Sequence, residues 1–510
     1  MLTVLDHRKS PDGVVDRRPH AIVIGSGLGG LAAAVRLGAR GFRVTVMEKL
    51  EVPGGRAAVF KQDGFIFDAG PTIITAPFLL EELWSLCGRS FADDVKLTSL
   101  SPFYAIRFDD GDVMECSADA ADMRDQVRRI SPSDVAGYEA FLQESEAIYR
   151  IGFETLGHVP FSTAFDMLRI VPDLVRLGAW RSVHSHVARH VRHPKLRMAL
   201  SFHPLFIGGN PFRVSAIYSL IAFLERAFGV HAAIGGTGAI VNGLINLIKG
   251  QGGAVLCNSE TRAILVEDGK ARGVKLASGE TVLSDIVVSN ADSATTYRHL
   301  VAPEVSKRWT ENRLARARYS MSLFVWYFGT KKRFQDVRHH TIIMGPRYQE
   351  LLEDIFERKI LADDFSLYLH RPTATDLSLA PEGCDTFYVL SPVPNQDSGI
   401  DWKSRAESYR QAIAQRLDAT VLPGFQSHVI TSRVTTPDDF EKRLFSCKGA
   451  AFGLEPVLTQ SAWFRPHNRS EDVEGLYLVG AGTHPGAGVP GVLSSAKVLD
   501  LVVPDAATFA

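Results

Sequence analysis

The sequence predicts an α/β fold with three parts: a Rossmann-like domain with a parallel sheet, a second domain with an antiparallel sheet, and a helical lobe. A short apolar strand at residues 21–24 leads into a glycine-rich turn and a helix, which is how a βαβ unit begins. The same strand–helix alternation returns at 236–292 and near 476–500, so we expect one parallel sheet built from three separated stretches. At 510 residues the chain exceeds what one core usually organises, and two or three domains are expected.

The glycine-rich turn has the spacing of a Rossmann-like dinucleotide-binding unit. Gly25 lets the strand turn tightly, Gly27 removes a side chain that would block a pyrophosphate, and Gly30 lets helix and strand pack closely. The helix predicted at about 31–40 would point its N-terminal amides at that pyrophosphate. The pattern therefore indicates a redox cofactor.

An acidic residue follows the second predicted strand. Glu48 closes the apolar run 44–47, where a carboxylate can accept both ribose hydroxyls and favours a cofactor with a free 2′-hydroxyl. Beyond it, Gly54 and Gly55 form a backbone nest and Arg56 offers a charge-assisted donor. A lone Gly-Gly-Arg is more often a surface turn, so its place directly after the acid is what favours a binding role.

The pattern divides the chain into segments with different roles. The segments are a polar leader at 1–19, a cofactor-binding domain from 20–75, 236–292 and 446–510, an inserted helical lobe at 76–235, and a substrate-binding sheet domain at 293–445. Residues 21–39 are apolar and follow Arg17, as in a cleaved signal peptide, but their glycines and Arg36 favour the nucleotide-binding interpretation.

The composition excludes several classes of function. A net charge of −1 gives no support for nucleic-acid binding. Five scattered cysteines with no close pair argue against a disulfide framework and a zinc site, so we expect a reducing compartment and no metal. No run reaches the roughly 18–20 apolar residues that cross a bilayer, so any membrane contact is expected to be peripheral.

Several longer runs resemble a known family. Residues 53–56 and 68–72, placed after the glycine turn, resemble the flavin-containing amine oxidase and carotenoid desaturase superfamily. Further runs are similar to bacterial and fungal-type phytoene desaturases, at 201–212, 365–370, 391–394, 455–468 and 480–488. The resemblance extends over about 20–500 and is specific, because these runs serve no general requirement of the fold.

The resemblance implies FAD as the bound cofactor and an oxidoreductase that acts on CH–CH groups. It implies desaturation of the carotenoid 15-cis-phytoene toward neurosporene or lycopene, with oxygen or a quinone as electron acceptor. It also implies attachment to a membrane lipid surface, which we place on the cytoplasmic side of the cell membrane. The implied FAD-binding residues are Gly25, Ser26, Gly27, Leu28, Gly29, Gly30, Glu48, Lys49, Gly55, Arg56, Thr261, Gly482, Thr483, Gly491 and Val492.

Few catalytic side chains are expected for this chemistry. Desaturating an unactivated CH₂–CH₂ pair removes a hydride and a proton, and the protein mainly holds that bond against flavin in a dry, apolar tunnel. Asp166 is a candidate for the proton because burial in the apolar run 161–168 would raise its pKa, although a capped helix aspartate explains it equally. His484 is the second candidate, by its position beside the cofactor turn, and His203 is comparable; each is also explained as a structural histidine.

The stretch 158–200 predicts a membrane-associated lobe. It interleaves apolar and aromatic residues such as Phe165 and Trp180 with arginines such as Arg169 and Arg176. This composition is typical of helices that lie in the headgroup region. Core helices with a solvated basic face would show the same pattern, so the membrane hypothesis depends on the lipid-soluble substrate.

Other functions remain compatible with the same fold. One is a later carotenoid desaturase that acts on hydroxyneurosporene, methoxyneurosporene or diapophytoene. Another is a flavin amine or porphyrinogen oxidase, which would need a polar anchor or aromatic cage near the flavin. A third is a non-enzymatic prenyl-lipid carrier, against which the intact glycine turn and Glu48 argue.

Overall fold

The computed structural model describes residues 16–509, so the predicted leader lies mostly outside the described residues. The strands before the middle of the chain are β1 His20–Ile24, β2 Arg43–Met47, β3 Val59–Gln62, β4 Phe65–Asp68, β5 Leu97–Ser99, β6 Tyr104–Arg107, β7 Val113–Cys116, β8 His231–Ala233, β9 Ala254–Leu256 and β10 Thr261–Glu267. They are followed by β11 Lys270–Leu276, β12 Thr281–Leu283, β13 Ile286–Ser289, β14 Ser322–Thr330, β15 His340–Ile343, β16 Leu367–His370, β17 Asp385–Val393, β18 Val429–Thr435 and β19 Leu476–Leu478.

The longer helices alternate with these strands. Those of eight residues or more are α1 Leu28–Ala39, α2 Pro77–Leu86, α3 Ala120–Ile130, α4 Val135–Tyr149, α5 Ala164–Arg176, α6 Pro194–Ser201, α7 Leu220–Phe228, α8 Thr237–Gly250, α9 Trp402–Thr420, α10 Pro437–Leu444 and α11 Val489–Val502. In the described part of the chain, no helix combines the length and apolar character needed to span a membrane.

A five-stranded parallel sheet forms the predicted cofactor-binding domain. Its order is β19-β13-β1-β2-β9, so the strands come from all three predicted stretches of the chain. One face carries Val23 and Val44 and packs against helices α1, α8 and α11, while the other carries Ile22 and Ile24 and packs against the antiparallel sheet β10-β11-β12. The predicted parallel sheet built from three separated stretches is confirmed, with helices on one face and an antiparallel sheet on the other.

A seven-stranded sheet forms the second layer system, in the order β18-β14-β17-β16-β15-β6-β7. Its pairs are antiparallel except β15 with β6, which run parallel. The hairpin β6–β7 was expected in the helical lobe at 76–235, yet it completes this sheet. One face packs on helix α9 through residues such as Trp326 and Ile413, and the other faces the helices of the lobe. The cavity described below opens on this second face.

Candidate active site

A continuous cavity of about 550 Å³ joins the parallel sheet to the seven-stranded sheet. Its polar end lies at the carboxyl ends of β1, β2 and β13, the edge where ligands bind in parallel α/β sheets. Its other end is walled by apolar side chains, among them Phe153, Ile170, Leu174, Leu205, Leu224, Leu323 and Leu390. An apolar passage therefore reaches the predicted cofactor site.

The first glycine turn is packed closely by backbone at Gly29 and Gly30 and by the Asn290 side chain at Gly27. A Cβ on Gly30 would lie 2.1 Å from the Gly25 carbonyl oxygen, and Gly25 itself has a φ of 90°. A Cβ on Gly27 would meet the Asn290 amide at 2.9 Å, and one on Gly29 would approach Gly480 at 3.0 Å. Helix α1 starts beside the cavity with no side-chain cap, so its first amides are available to an anion.

Glu48 lines the cavity but is held by the protein on both carboxylate oxygens. Oε2 accepts hydrogen bonds from the Ser26 amide at 2.9 Å and the Ser26 hydroxyl at 2.6 Å, and Oε1 accepts from the Leu50 amide at 2.8 Å. The Ser26 hydroxyl oxygen also accepts a hydrogen bond from the Gly54 amide at 3.1 Å, and Ser26 is fully buried. Ser26 therefore orients the acid from behind and does not line the cavity, and its pyrophosphate contact stays a prediction.

The second predicted loop presents a buried cation to the cavity. Gly54 and Gly55 have φ values of 110° and 56°, and a Cβ on Gly55 would come within 3.3 Å of Gly27. Arg56 lines the cavity; its Nη2 donates to the Ser446 hydroxyl at 2.6 Å, and its Nε has no partner among the described residues. Burial lowers the pKa of the Arg56 guanidinium, while the nearby Asp292 carboxylate opposes that shift.

Lys49 and Thr261 occupy the rim of the polar end. Both line the cavity, and Thr261 begins strand β10 with its hydroxyl unpaired within the described chain. The Lys49 ammonium is turned toward the protein, 3.1 Å from the centre of the Phe445 ring and 3.1 Å from the Lys442 carbonyl. The adenine contact of Thr261 stays a prediction, and so does a cofactor contact of Lys49.

Two of the four residues predicted in the C-terminal segment line the cavity, and two do not. Gly491 and Val492 line the cavity as predicted, together with Gly480 and Ala481. Gly482 packs against Ser293, whose hydroxyl would lie 2.5 Å from a Cβ, and does not line the cavity.

Thr483 is buried and donates its hydroxyl to the Pro466 carbonyl at 2.6 Å. It does not line the cavity; Gly482 and Thr483 pack against the protein here, and their cofactor contacts stay predictions.

Asn290 is a site residue that the sequence reasoning missed. It follows β13 and lines the cavity. Its side chain packs against both glycine turns, so closely that a Cβ added at Gly27 or at Gly480 would contact it. Its Nδ2 donates to the Gly25 carbonyl at 3.4 Å. Asn290 lies at the carboxyl end of a strand beside β1, the edge where polar residues meet the ligand, but that strand order becomes known only from the structure.

The structure gives Asp166 a capping role. Asp166 Oδ2 accepts hydrogen bonds from the Thr163 amide at 2.8 Å and the Thr163 hydroxyl at 2.9 Å, which completes a capping box at the start of α5. Its neighbour Met167 lines the cavity, but Asp166 does not. The carboxylate therefore stabilises the helix and is not placed to take a proton from a substrate.

His484 lines the cavity and is buried between the lobe and the C-terminal turn. Its Nε2 lies 2.9 Å from the Leu156 carbonyl, which can only accept, so Nε2 carries the proton. Nδ1 has no partner in the described part of the protein. Burial lowers the pKa of the imidazole to about 4, so it is neutral at physiological pH. Its catalytic role stays a prediction.

Other polar groups reach the cavity wall in two small networks. Thr72 Oγ1 lies 2.9 Å from the Tyr368 hydroxyl and 2.8 Å from the Tyr388 hydroxyl, and all three residues line the cavity. Glu225, also in the wall, accepts the Tyr104 hydroxyl at 2.8 Å and lies 3.2 Å from His203 Nε2. His203 therefore belongs to a buried structural network.

The polar end fits FAD. It combines a cradle that side chains would fill, the uncapped start of α1, the buried cation Arg56 with an unused donor, and the carboxylate Glu48. A pyrophosphate needs the first three features and a ribose needs the fourth.

The chain belongs to the family of flavin containing amine oxidoreductases, which it matches over residues 28–498. It is a flavin-dependent oxidoreductase, and FAD is its cofactor. It is 51% identical to a phytoene desaturase (neurosporene-forming) of Cereibacter sphaeroides, over 98% of this chain and 96% of that protein. It is 47% identical to a phytoene desaturase (lycopene-forming) of Pseudescherichia vulneris, over 93% and 97%.

Solved structures of low identity share the fold. An oxidoreductase from Methanosarcina mazei superposes with a TM-score of 0.65 at 17% identity, covering 95% of this chain and all of that one. Wild-type putrescine oxidase bound to putrescine superposes with a TM-score of 0.63 at 14% identity, covering 95% and 99%. The fold is thus the one found in flavin amine oxidases.

We expect Gly27→Ala to retain the fold and lose FAD. The added methyl meets only the end of the Asn290 side chain, which can shift, yet it occupies the cradle where a pyrophosphate lies. The flavin-to-protein ratio of the purified variant and its affinity for added FAD should fall at least tenfold. Gly250→Ala is the control, because a Cβ there meets nothing within 4 Å. Unchanged FAD affinity in Gly27→Ala would contradict the assignment of the cradle.

We expect His484 to make stability depend on pH. The unfolded chain binds this proton near pH 6.5 and the folded chain only near pH 4, so the free energy of unfolding falls by about 3 kcal/mol as pH drops through that interval. His484→Gln keeps a donor for Leu156 and should remove this part of the slope in urea titrations at several pH values. The exposed His299→Gln should leave the slope unchanged, and an equal slope in His484→Gln would show that this histidine is not held neutral.

Proposed function

We propose that the protein is an FAD-dependent desaturase of phytoene that introduces several double bonds, toward neurosporene or lycopene. The observation that carries the proposal is the continuous cavity, whose polar end fits FAD and whose remaining wall is mainly apolar. A hydrocarbon has no polar group that a protein could bind, and this wall has few polar side chains that would bind such a group. The names of the similar proteins from Cereibacter sphaeroides and Pseudescherichia vulneris support the same substrate.

The residues of the wall would perform their part by shape and by excluding water. Side chains from the lobe, such as Phe153 and Leu174, face others from the sheet, such as Leu323 and Leu390, so a linear chain is held between two apolar surfaces. Bound FAD supplies the acceptor for the hydride removed from each CH₂–CH₂ pair. Arg56 and Glu48 would hold the other end of the cofactor, and so help to set where its reactive ring lies along the cavity.

We further propose that helix α5 docks the protein on the cytoplasmic face of the cell membrane. One side of the helix lines the cavity with Met167, Ile170 and Leu174. The other side exposes apolar groups, with Phe165 at 70% and Leu168 at 67% exposure. Exposed apolar side chains of this size, followed by Trp180 and flanked by Arg169 and Arg176, are typical of an interfacial helix. A lipid-soluble substrate would then enter the cavity along one helix, and a quinone in the same membrane or oxygen would remove the electrons.

The function is tested with purified, flavin-loaded protein, liposomes that contain 15-cis-phytoene, and either oxygen or a quinone. We expect stepwise conversion to products with more conjugated double bonds, followed by chromatography and absorbance. Parallel liposomes with diapophytoene or hydroxyneurosporene identify a different carotenoid specificity. Unchanged phytoene in the presence of bound flavin and both acceptors would refute the proposal.

We expect the double variant Phe165→Ser, Leu168→Ser to bind liposomes at least tenfold more weakly. Burying either side chain in the acyl region contributes about 1.5–3 kcal/mol, and both contributions are lost. The control removes two comparably exposed apolar residues elsewhere, Leu377→Ser and Leu501→Ser, at 57% and 61% exposure. Flotation with anionic liposomes measures the binding; equal loss in both double variants would mean that α5 is not the docking surface.

A further inference from the structure

Three histidines form a buried cluster beside the cavity. His339 and His340 stand at the start of β15 and His370 ends β16, and the exposures are 7%, 0% and 1%. The register of the two strands places His340 opposite His370. The centres of the three rings lie 4.5, 4.9 and 5.2 Å apart, and one ring nitrogen of each lies within 4.8 Å of the others.

The outer nitrogens of two of these rings already have hydroxyl partners. His339 Nδ1 lies 2.6 Å from the Thr375 hydroxyl, and His340 Nδ1 lies 2.7 Å from the Tyr368 hydroxyl. When these Nδ1–H groups donate, both Nε2 atoms carry bare lone pairs. This is the arrangement of a metal-binding histidine, whose second nitrogen is held by a neighbouring oxygen.

The remaining ring nitrogens of the cluster are incompletely paired by the protein. His340 Nε2 and His370 Nδ1 have no hydrogen-bond partner within residues 16–509. His339 Nε2 and His370 Nε2 lie 3.1 Å apart. With zinc–nitrogen bonds of about 2.0–2.1 Å, two imidazole ligands of one tetrahedral ion are separated by roughly 3.3 Å, so this spacing suits a shared ion.

We propose that His339, His340 and His370 bind a divalent transition-metal ion of the kind that prefers imidazole, with zinc as the first choice. A small adjoining cavity of about 20 Å³ is lined by His339 and His370, and it has room for one water as a further ligand. Asp376 lines the same cavity, and its carboxylate would offset part of the charge of a buried dication. Neutral nitrogen donors disfavour Mg²⁺ and Ca²⁺, which select oxygen ligands.

The ion would have a structural role that reaches the active site. It joins the ends of β15 and β16, and through His340 it fixes the hydroxyl of Tyr368. Tyr368 lies 2.9 Å from Thr72, which in turn contacts Tyr388, and these three residues line the main cavity. The absence of paired cysteines excludes a thiolate site only, because imidazoles assembled by strand pairing leave no such spacing in the sequence.

The test measures metal in the flavin-loaded protein, independently of desaturation. Wild-type protein is incubated with Zn²⁺ or Mg²⁺, passed through gel filtration and analysed by mass spectrometry for metals. We expect about one zinc per chain, no retained magnesium, and X-ray absorption that shows about three nitrogen ligands near 2.0–2.1 Å. His340→Asn should lower the retained zinc at least tenfold.

The matched control is His190→Asn in a second cluster, formed by Glu144, His186 and His190 nearer the surface, and it should leave the retained zinc unchanged. Zinc that survives in His340→Asn, or that is lost equally in His190→Asn, overturns the proposal. Wild-type protein that retains less than a tenth of an equivalent also overturns it and means that the imidazoles are bridged by hydrogen bonds or water alone. Because this wild-type measurement needs no variant, a His340→Asn chain that fails to fold does not leave the question open.

Discussion

The close approach of the first helix to the first strand is the constraint on which the site depends. The Gly25 carbonyl oxygen lies where a Cβ on residue 30 would be, so helix α1 can pack this closely only with glycine at that position. The same absence of side chains lets Asn290 and Gly480 come up against the turn from two other strands of the sheet. Three distant parts of the chain therefore meet at one point through backbone contacts, and the cavity begins there.

The two ends of the cavity act by different physics. At the polar end, directional groups such as Arg56 and Glu48 specify both position and orientation. Along the apolar wall, each buried CH₂ contributes about 0.8 kcal/mol wherever it lies, so burial gives affinity without fixing where along its length the hydrocarbon stops. The number of double bonds must then depend on the length and shape of the tube.

Local backbone geometry made much of the polar end predictable from the sequence. Gly25, Gly27 and Gly30 have functions that follow from their spacing alone, and the structure confirms the close contacts they permit. Gly482 and Thr483 turn away from the cavity because they pack on Ser293 and Pro466, contacts that the local sequence does not reveal.

Some side-chain roles could be predicted from neighbouring residues in the sequence, whereas others required the order or the register of the strands. The capping role of Asp166 was readable, since Thr163 precedes it by three residues as in a capping box. Asn290 required the strand order, which a sequence alone does not give. The histidine cluster required the register of β15 on β16, which is still less accessible.

On the proposal that helix α5 docks on the membrane, docking and substrate entry belong to one element. A hydrocarbon that crossed water between membrane and protein would expose its whole length, at about 0.8 kcal/mol for each CH₂, so the passage has to stay dry. A helix with one apolar face could line a tube or lie on lipid, but not both. In α5, Ile170 and Leu174 face the cavity while Phe165 and Leu168 face outward, and the capping box at Thr163 fixes the start from which these faces are counted. If α5 docks as proposed, lipid on one side and substrate on the other are separated by a single helix, so the substrate has only the width of that helix to pass between membrane and cavity.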